Sequence, residues 1–264
     1  MNICLFSESE ISKPLSKNDE RAKHILQILH KKEGDTFTAG IIDSKAGSAT
    51  IQKIDEQNIY FTFNPLSDGK KLYNLKMIIG FPRPIQLKRL LRDIAALGVC
   101  EVHLTGTELG EKSYMQSTLV EKGNAYKMLL DGTVQAGSTH VPRLFLHKTL
   151  KECITYLEEN ENKKDLHHIL RLALDNVSPS CSLQSAMNDL PCVKCDTPCE
   201  DAKMVYAAIG SERGWTNKER ELLKENGYIL SGMGCRIMRT ETAATVAGSI
   251  ILNTMGYLKE DFYG

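Results

Sequence analysis

Gly232-Met233-Gly234-Cys235-Arg236-Ile237-Met238-Arg239-Thr240-Glu241-Thr242-Ala243 joins a short apolar run, Tyr228 to Ser231, to a longer periodic stretch, Glu241 to Met255. The run reads as a strand and the stretch as a helix. A strand-to-helix turn of this kind is where an α/β protein holds a ligand. Small residues let the backbone come close, and the first N–H groups of the helix have no partner within it. Thr240 is expected to cap that helix. A second junction precedes it: Met204 to Ile209 reads as a strand, Gly210-Ser211-Glu212-Arg213-Gly214 as a tight loop, and Thr216 with Glu219 as a capping box opening another helix. The two loops together predict one shared site. The plain alternative is a pair of ordinary connections in which Thr240 and Glu241 only complement a helix end and Arg239 is solvated.

Further toward the N-terminus, Leu75 to Phe81 reads as an apolar strand, Ile85 to Leu97 as a helix ended by Gly98, and Val99 to Thr105 as a strand, which is a βαβ unit. A helix from Met115 to Val134 and a buried strand from Ile169 to Leu174 are expected to follow. This alternation predicts an α/β fold with a mostly parallel sheet, covered on both faces, whose ligands sit at the carboxyl ends of its strands. The first part of the chain differs. Short β-rich segments, Phe37 to Ile42, Ala49 to Ile54 and Asn58 to Phe63, with one helix over Asp19 to Leu29, predict a small barrel. Asn64 to Lys71 is the expected linker, giving domains of residues 1–70 and 71–264.

Composition sets bounds without choosing a function. The chain has 264 residues, 42 % hydrophobic and 25 % charged, as an ordinary globular protein does. Lys plus Arg equals Asp plus Glu at 33 each, so any nucleic-acid surface must be a local patch. The segment Met1 to Glu8 has neither a basic region nor a long apolar run, and no stretch approaches the roughly 18 apolar residues of a membrane span. A cytoplasmic protein with no membrane partner is expected. Cys4, Cys100, Cys153 and Cys235 are widely spread and read as buried thiols. Cys181, Cys192, Cys195 and Cys199 have spacing that a thiolate-bound metal could use, against free thiols in a variable loop; no catalytic metal is expected. Gly232-x-Gly234 lacks the third glycine of a dinucleotide fingerprint, and the chain has no Walker A loop.

The loops Ile209-Gly210-Ser211-Glu212-Arg213-Gly214 and Gly234 to Ala243 resemble the two C-terminal motifs of the 16S rRNA uridine N3-methyltransferases, a family of the SPOUT superfamily. In the second, Arg236, Arg239, Thr240, Glu241, Thr242 and Ala243 all fall in register. In the first, Ser211 replaces a proline and Arg213 a glycine. The resemblance extends to His24 to His30, with His30 where arginine is usual, to Leu97-Gly98-Val99, where Ala96 replaces an acid, and to Gln135 to Pro142, where Val134 and Thr139 stand for Glu and Arg. It implies an N-terminal PUA-like RNA-binding barrel, a C-terminal domain closed by a trefoil knot, a homodimer, and S-adenosyl-L-methionine (SAM) held bent by the knot loops. The substrate implied is 16S rRNA or the small ribosomal subunit.

On that resemblance the cofactor would be held by Ile209, Gly210, Ser211, Glu212, Gly214, Gly232, Met233, Gly234, Ile237, Met238 and Thr240, the glycines acting through backbone groups. Methyl transfer from a sulfonium needs in-line approach of a nitrogen, so the rate should come from positioning and charge stabilisation. Uracil N3 is a weak acid that must lose its proton near the moment of attack. Arg239 suits the stabilisation of charge on the flanking carbonyls; Glu241, or less favourably Glu212, suits the role of base or of a partner orienting Arg239. Arg21, Lys23, Arg83, Lys88 and Arg89 stand in basic clusters that could grip phosphates, or form solvated faces. A scaffold that keeps RNA binding and ribosome assembly without catalysis is the alternative reading.

Overall fold

The computed structural model describes residues 2–117, 123–161, 169–188 and 204–258. The chain separates into two compact units, Met1–Leu72 with Leu129–Val141, and Tyr73–Met128 with Pro142–Gly264.

The first unit is a five-stranded sheet in the order β1 (Cys4–Phe6), β3 (Thr36–Ile41), β4 (Ala46–Ile54), β5 (Asn58–Ser67), β2 (Leu15–Ser16), with β1 parallel to β3 and the other pairs antiparallel. Its core gathers around Phe6, Phe37 and Phe61, with ring centroids 5.0 and 5.8 Å apart. The expected N-terminal helix is present but irregular. Asp19 caps a turn over Glu20–Lys23, accepting from the Arg21 N–H, and the chain then widens into a π turn over His24–Ile28. The expected linker is shorter than the sequence suggests, because Asn64 and Pro65 continue β5 opposite Ser48 and Gly47. Gly47 makes that possible, since a Cβ there would lie 2.0 Å from the Asn64 carbonyl oxygen. The segment Leu129–Val141 is sewn on by hydrogen bonds from the Thr139 hydroxyl to the Ser44 carbonyl (2.7 Å) and from the Val141 N–H to the Asp43 carboxylate (2.9 Å). Thr139 is fully buried, and its methyl lies where a Cβ on Gly40 would come within 2.5 Å. There is no room there for the arginine of the related motif.

The second unit carries an entirely parallel seven-stranded sheet in the order β10 (Cys181–Ser182), β12 (Ile229–Gly232), β9 (Ile169–Leu174), β11 (Met204–Ile209), β6 (Tyr73–Gly80), β7 (Val99–Thr105), β8 (Arg143–His147). Strands buried on both faces need near-continuous apolar runs, and Leu75, Met77, Ile78 and Ile79 of β6 and Val205 to Ile209 of β11 supply them. On one face the helix Pro84–Leu97, opened by proline and closed by Gly98 at φ +81°, packs against the helix Thr240–Thr254. Gly248 lets them approach, as a Cβ there would meet Leu97 at 3.3 Å. The other face is covered by Leu150–Glu159, capped by Thr149, which buries Cys153, Ile154 and Leu157 beside Ile78, Tyr206, Ala208 and Trp215.

Two features depart from expectation. Of the helix read from Met115 to Val134, the described residues show Lys112–Met115, which ends at Gln116 and Ser117, and Asn124–Gln135. The strand β8 and the helix after it were not anticipated. Among the described residues, no helix is long and apolar enough to cross a membrane.

Candidate active site

The strands β9, β11 and β12 lie side by side, so the three loops at their carboxyl ends are neighbours in space. They wall one cavity of about 280 Å³. From the β11 exit come Ile209, Gly210, Ser211, Glu212, Arg213 and Gly214; from the β12 exit come Met233, Gly234, Ile237 and Met238, with Thr240 and Ala243 of the final helix. The two loops therefore share one cavity, and of the residues assigned to the cofactor only Gly232 does not line it.

Local chemistry explains the loop shapes. The β11 loop closes on itself through Gly214 N–H to the Ser211 carbonyl (2.9 Å), with Gly214 at φ +70°, a conformation other residues rarely adopt. Gly80, the last residue of β6, lies beneath it: a Cβ there would come 2.5 Å from the Ser211 nitrogen. The predicted capping box after this loop is complete, with Glu219 N–H donating to the Thr216 hydroxyl (3.2 Å) and Thr216 N–H to the Glu219 carboxylate (2.9 Å). The second Glu219 oxygen accepts from the Glu108 N–H, which ties the loop after β7 to this helix.

Thr240 does something other than cap. The cap position belongs to Arg239, whose side chain makes no capping bond, while Thr240, one residue into the helix, donates its buried hydroxyl to the Gly210 carbonyl at 3.3 Å. That bond fastens the β12 loop to the β11 loop. The Ser211 hydroxyl, at the cavity wall, is buried without a hydrogen-bond partner, which marks it as waiting for a polar ligand atom.

The third wall escaped the sequence reading. Leu174, the last residue of β9, and Asp175, Asn176 and Val177 after it line the cavity. Two side chains from beyond the β11 loop hold them: the Trp215 indole donates to the Leu174 carbonyl (3.0 Å), and Arg220 grips the Asp175 carboxylate with two bonds of 3.0 Å. Asp175 and Arg220 are both buried. Burial alone would raise the Asp175 carboxyl, but the Arg220 fork and the Ser178 N–H outweigh it and hold the group below the ordinary range.

Arg239 is exposed and Glu241 half-buried, and neither lines the cavity, although Met238 and Thr240 on either side of Arg239 do. Arg213 and Arg236, which had no assigned role, do line it. Of the basic residues, Lys23, Arg83, Lys88 and Arg89 are exposed, Arg83 lying 3.5 Å from Glu212. Arg21 is not available for phosphate: its guanidinium is engaged by Asp19, Glu10 and the Leu5 carbonyl and stacks over Phe6 at 4.7 Å. Cys235 is exposed rather than buried, and Cys100 half-buried. Cys181 is a free thiol, while Cys192, Cys195 and Cys199 lie outside the described residues.

Fold and site together define a parallel α/β protein with a cavity walled by the loops at the carboxyl ends of adjacent strands, the place where such folds take ligands. Residues 69–252 match the family model of the RNA methyltransferase domain, and the chain belongs to that family. It is 37 % identical to the ribosomal RNA small subunit methyltransferase E of Treponema pallidum, over 96 % of this chain and 91 % of that one. With ribosomal RNA small subunit methyltransferase E 1 of Borreliella burgdorferi it shares 30 % identity, over 95 % of this chain and 97 % of that one. The fold is similar to the crystal structure of a ribosomal RNA small subunit methyltransferase E from Neisseria gonorrhoeae bound to S-adenosyl methionine, at TM-score 0.69 and 17 % identity, covering 96 % of this chain and 97 % of the other.

Proposed function

We propose that this chain transfers a methyl group from SAM to N3 of a uridine in the 16S rRNA of the small ribosomal subunit. The observation that carries the reading is convergence: two motifs in register with one family wall a single cavity, together with the loop that follows β9. The relatives' names agree on small-subunit rRNA, and a protein of the same fold binds SAM. The residues suit that cofactor. Leu174, Val177, Ile209 and Ile237 offer an apolar slot, Gly210 and Gly234 offer backbone groups, and the unpartnered Ser211 hydroxyl offers a polar contact. The volume, about 280 Å³, falls just below the roughly 300–1,000 Å³ usual for such sites, which fits a pocket completed by a second copy of the chain in a homodimer.

When bound, SAM supplies an electrophilic methyl on a sulfonium. Arg239, exposed beside the cavity wall, would meet the uracil carbonyls and stabilise the charge that builds on them as N3 loses its proton. Glu241, two residues on, would take that proton or orient Arg239. The first unit would serve as a PUA-like RNA-binding barrel within residues 1–70, and Lys23, Arg83, Lys88 and Arg89 would contact phosphates. A trefoil knot in residues 71–264 is favoured by the insertion of the late strands β11 and β12 between earlier ones. The work would be done in the cytoplasm, where ribosomes are.

The test is mass spectrometry of small-subunit rRNA from cells lacking this protein, complemented with the parent chain or with Arg239→Ala. The methylated uridine should vanish in the deletion, return with the parent, and stay absent with the variant. An unchanged rRNA in the deletion removes the proposed activity; full restoration by the variant removes Arg239 from it.

A further inference from the structure

Away from the cavity, five strands carry one transverse row of paired residues: Arg171 with Tyr206, Tyr206 with Lys76, Lys76 with Glu101, and Glu101 with Arg143. Glu101 is buried in that row, ion-paired to Lys76 at 3.1 Å and to Arg143. It also accepts from His103 Nε2 at 3.0 Å. The other nitrogen, His103 Nδ1, is 3.0 Å from His147 Nε2, and above both lies Cys153 of the helix Leu150–Glu159. One donor atom from each of His103, His147 and Cys153 lies within 4.8 Å of the others.

We propose that His103, His147 and Cys153 form a binding site for a borderline-soft divalent cation, zinc above others. Two imidazoles and a thiol are the donor set such an ion selects, whereas magnesium and calcium prefer oxygen. A carboxylate behind a ligand histidine is the usual means of fixing its tautomer, and Glu101, by accepting from Nε2, leaves the lone pair on His103 Nδ1, facing His147 Nε2. The distances are close to closure. Metal–donor lengths of about 2.0–2.3 Å in a tetrahedron put donors roughly 3.3–3.6 Å apart, so Cys153 must move in by about 1 Å and the imidazoles part slightly. Binding exchanges the S–H bond for an S–metal bond and releases the proton to water, so uptake should strengthen as pH rises. Lys76 and Arg143 oppose a nearby dication but are already paired with Glu101, and the Glu152 carboxylate acts on His147 with the favourable sign. The ion would clamp the edge strand β8 and its covering helix to β7. Without it, the same atoms amount to a histidine–histidine hydrogen bond beside an inert thiol, and the experiment separates the two.

The full chain carrying Cys192→Ser, Cys195→Ser and Cys199→Ser, which removes the other thiol cluster, is titrated with Co²⁺ as a spectroscopic probe and with Zn²⁺ in thermal melts. A thiolate-to-cobalt charge-transfer band saturating at one equivalent is expected, together with a rise in melting temperature on adding zinc. Both should be lost on adding Cys153→Ser and kept on adding Cys235→Ser. Absence of the band in the starting protein overturns the site whatever the variants do, and so does a band that survives Cys153→Ser. If Cys153→Ser fails to fold, His147→Gln replaces it, with the same loss expected and survival of the band again overturning the site.

Discussion

The Asp175–Arg220 pair shows how much of this site rests on a buried ion pair in its wall. Asn at position 175 keeps the shape but leaves a buried guanidinium uncompensated, so Asp175→Asn should lower stability by about 3–5 kcal/mol in urea unfolding. The pair also sets a pH dependence. The Asp175 carboxyl is held below its ordinary value, so the unfolded chain takes up the proton first; the contribution is complete above the ordinary value near 4 and drains away as pH falls toward the folded one. The acid limb of a stability–pH curve should flatten in Asp175→Asn, and an unchanged limb would deny the pair its role. Gly80 makes a second case. A methyl there meets the Ser211 nitrogen at 2.5 Å, so Gly80→Ala should cost on the order of 1–3 kcal/mol through forced displacement and weaken SAM binding in calorimetry. Much of the site was legible at this scale, because glycines, Thr240 and the arginines announce a tight strand-to-helix turn. Asp175 was not, since nothing in Leu174-Asp175-Asn176-Val177 differs from an ordinary loop until β9 is found between β11 and β12.

Among the elements, legibility followed the strength of local pattern. Val99–Thr105 and Ile169–Leu174 could be read to their end residues, because both are apolar-rich segments, interrupted only by Glu101, His103 and Arg171, that stop at Gly106 and Asp175. β10 has two residues, and β8 is a five-residue edge strand whose apolar run is only Leu144 to Leu146, so neither carries a long run. Asn64-Pro65 reads as a turn, and only the bulge opposite Gly47 makes it strand. The row from Arg171 to Arg143 is invisible in one dimension, being assembled by register across five strands. The capping box, in contrast, is local and therefore testable by itself: Thr216→Ala should destabilise the helix Asn217–Glu225 by about 0.5–2 kcal/mol. Hydrogen exchange should show the loss first at the amides of Glu219 and Glu108, which share the Glu219 carboxylate's surroundings. Uniform loss across the sheet would instead point to a global effect.

For the molecule as a whole, ligand binding and chemistry should separate. SAM at one hundred times its dissociation constant adds about 2.7 kcal/mol to stability, which for a chain of this size is a melting shift of roughly 5–10 °C. Arg239→Ala, placed outside the cavity lining, should keep that shift while losing methyl transfer; loss of both would make Arg239 a cofactor ligand. The strand order has a consequence of another kind. β6 and β9 touch only through β11, which enters the chain at Met204. Until that segment leaves the ribosome, the second unit of a nascent chain can pair only β6, β7 and β8, while β9 and β10, which are joined only through β12, stay unpartnered, and the raw flank of unmatched amides and carbonyls on β6 is ready to pair with a stranger. The sheet is completed like an arch, by a keystone set late, so a chain stalled before residue 204 should be a client of chaperones, and a finished one should not.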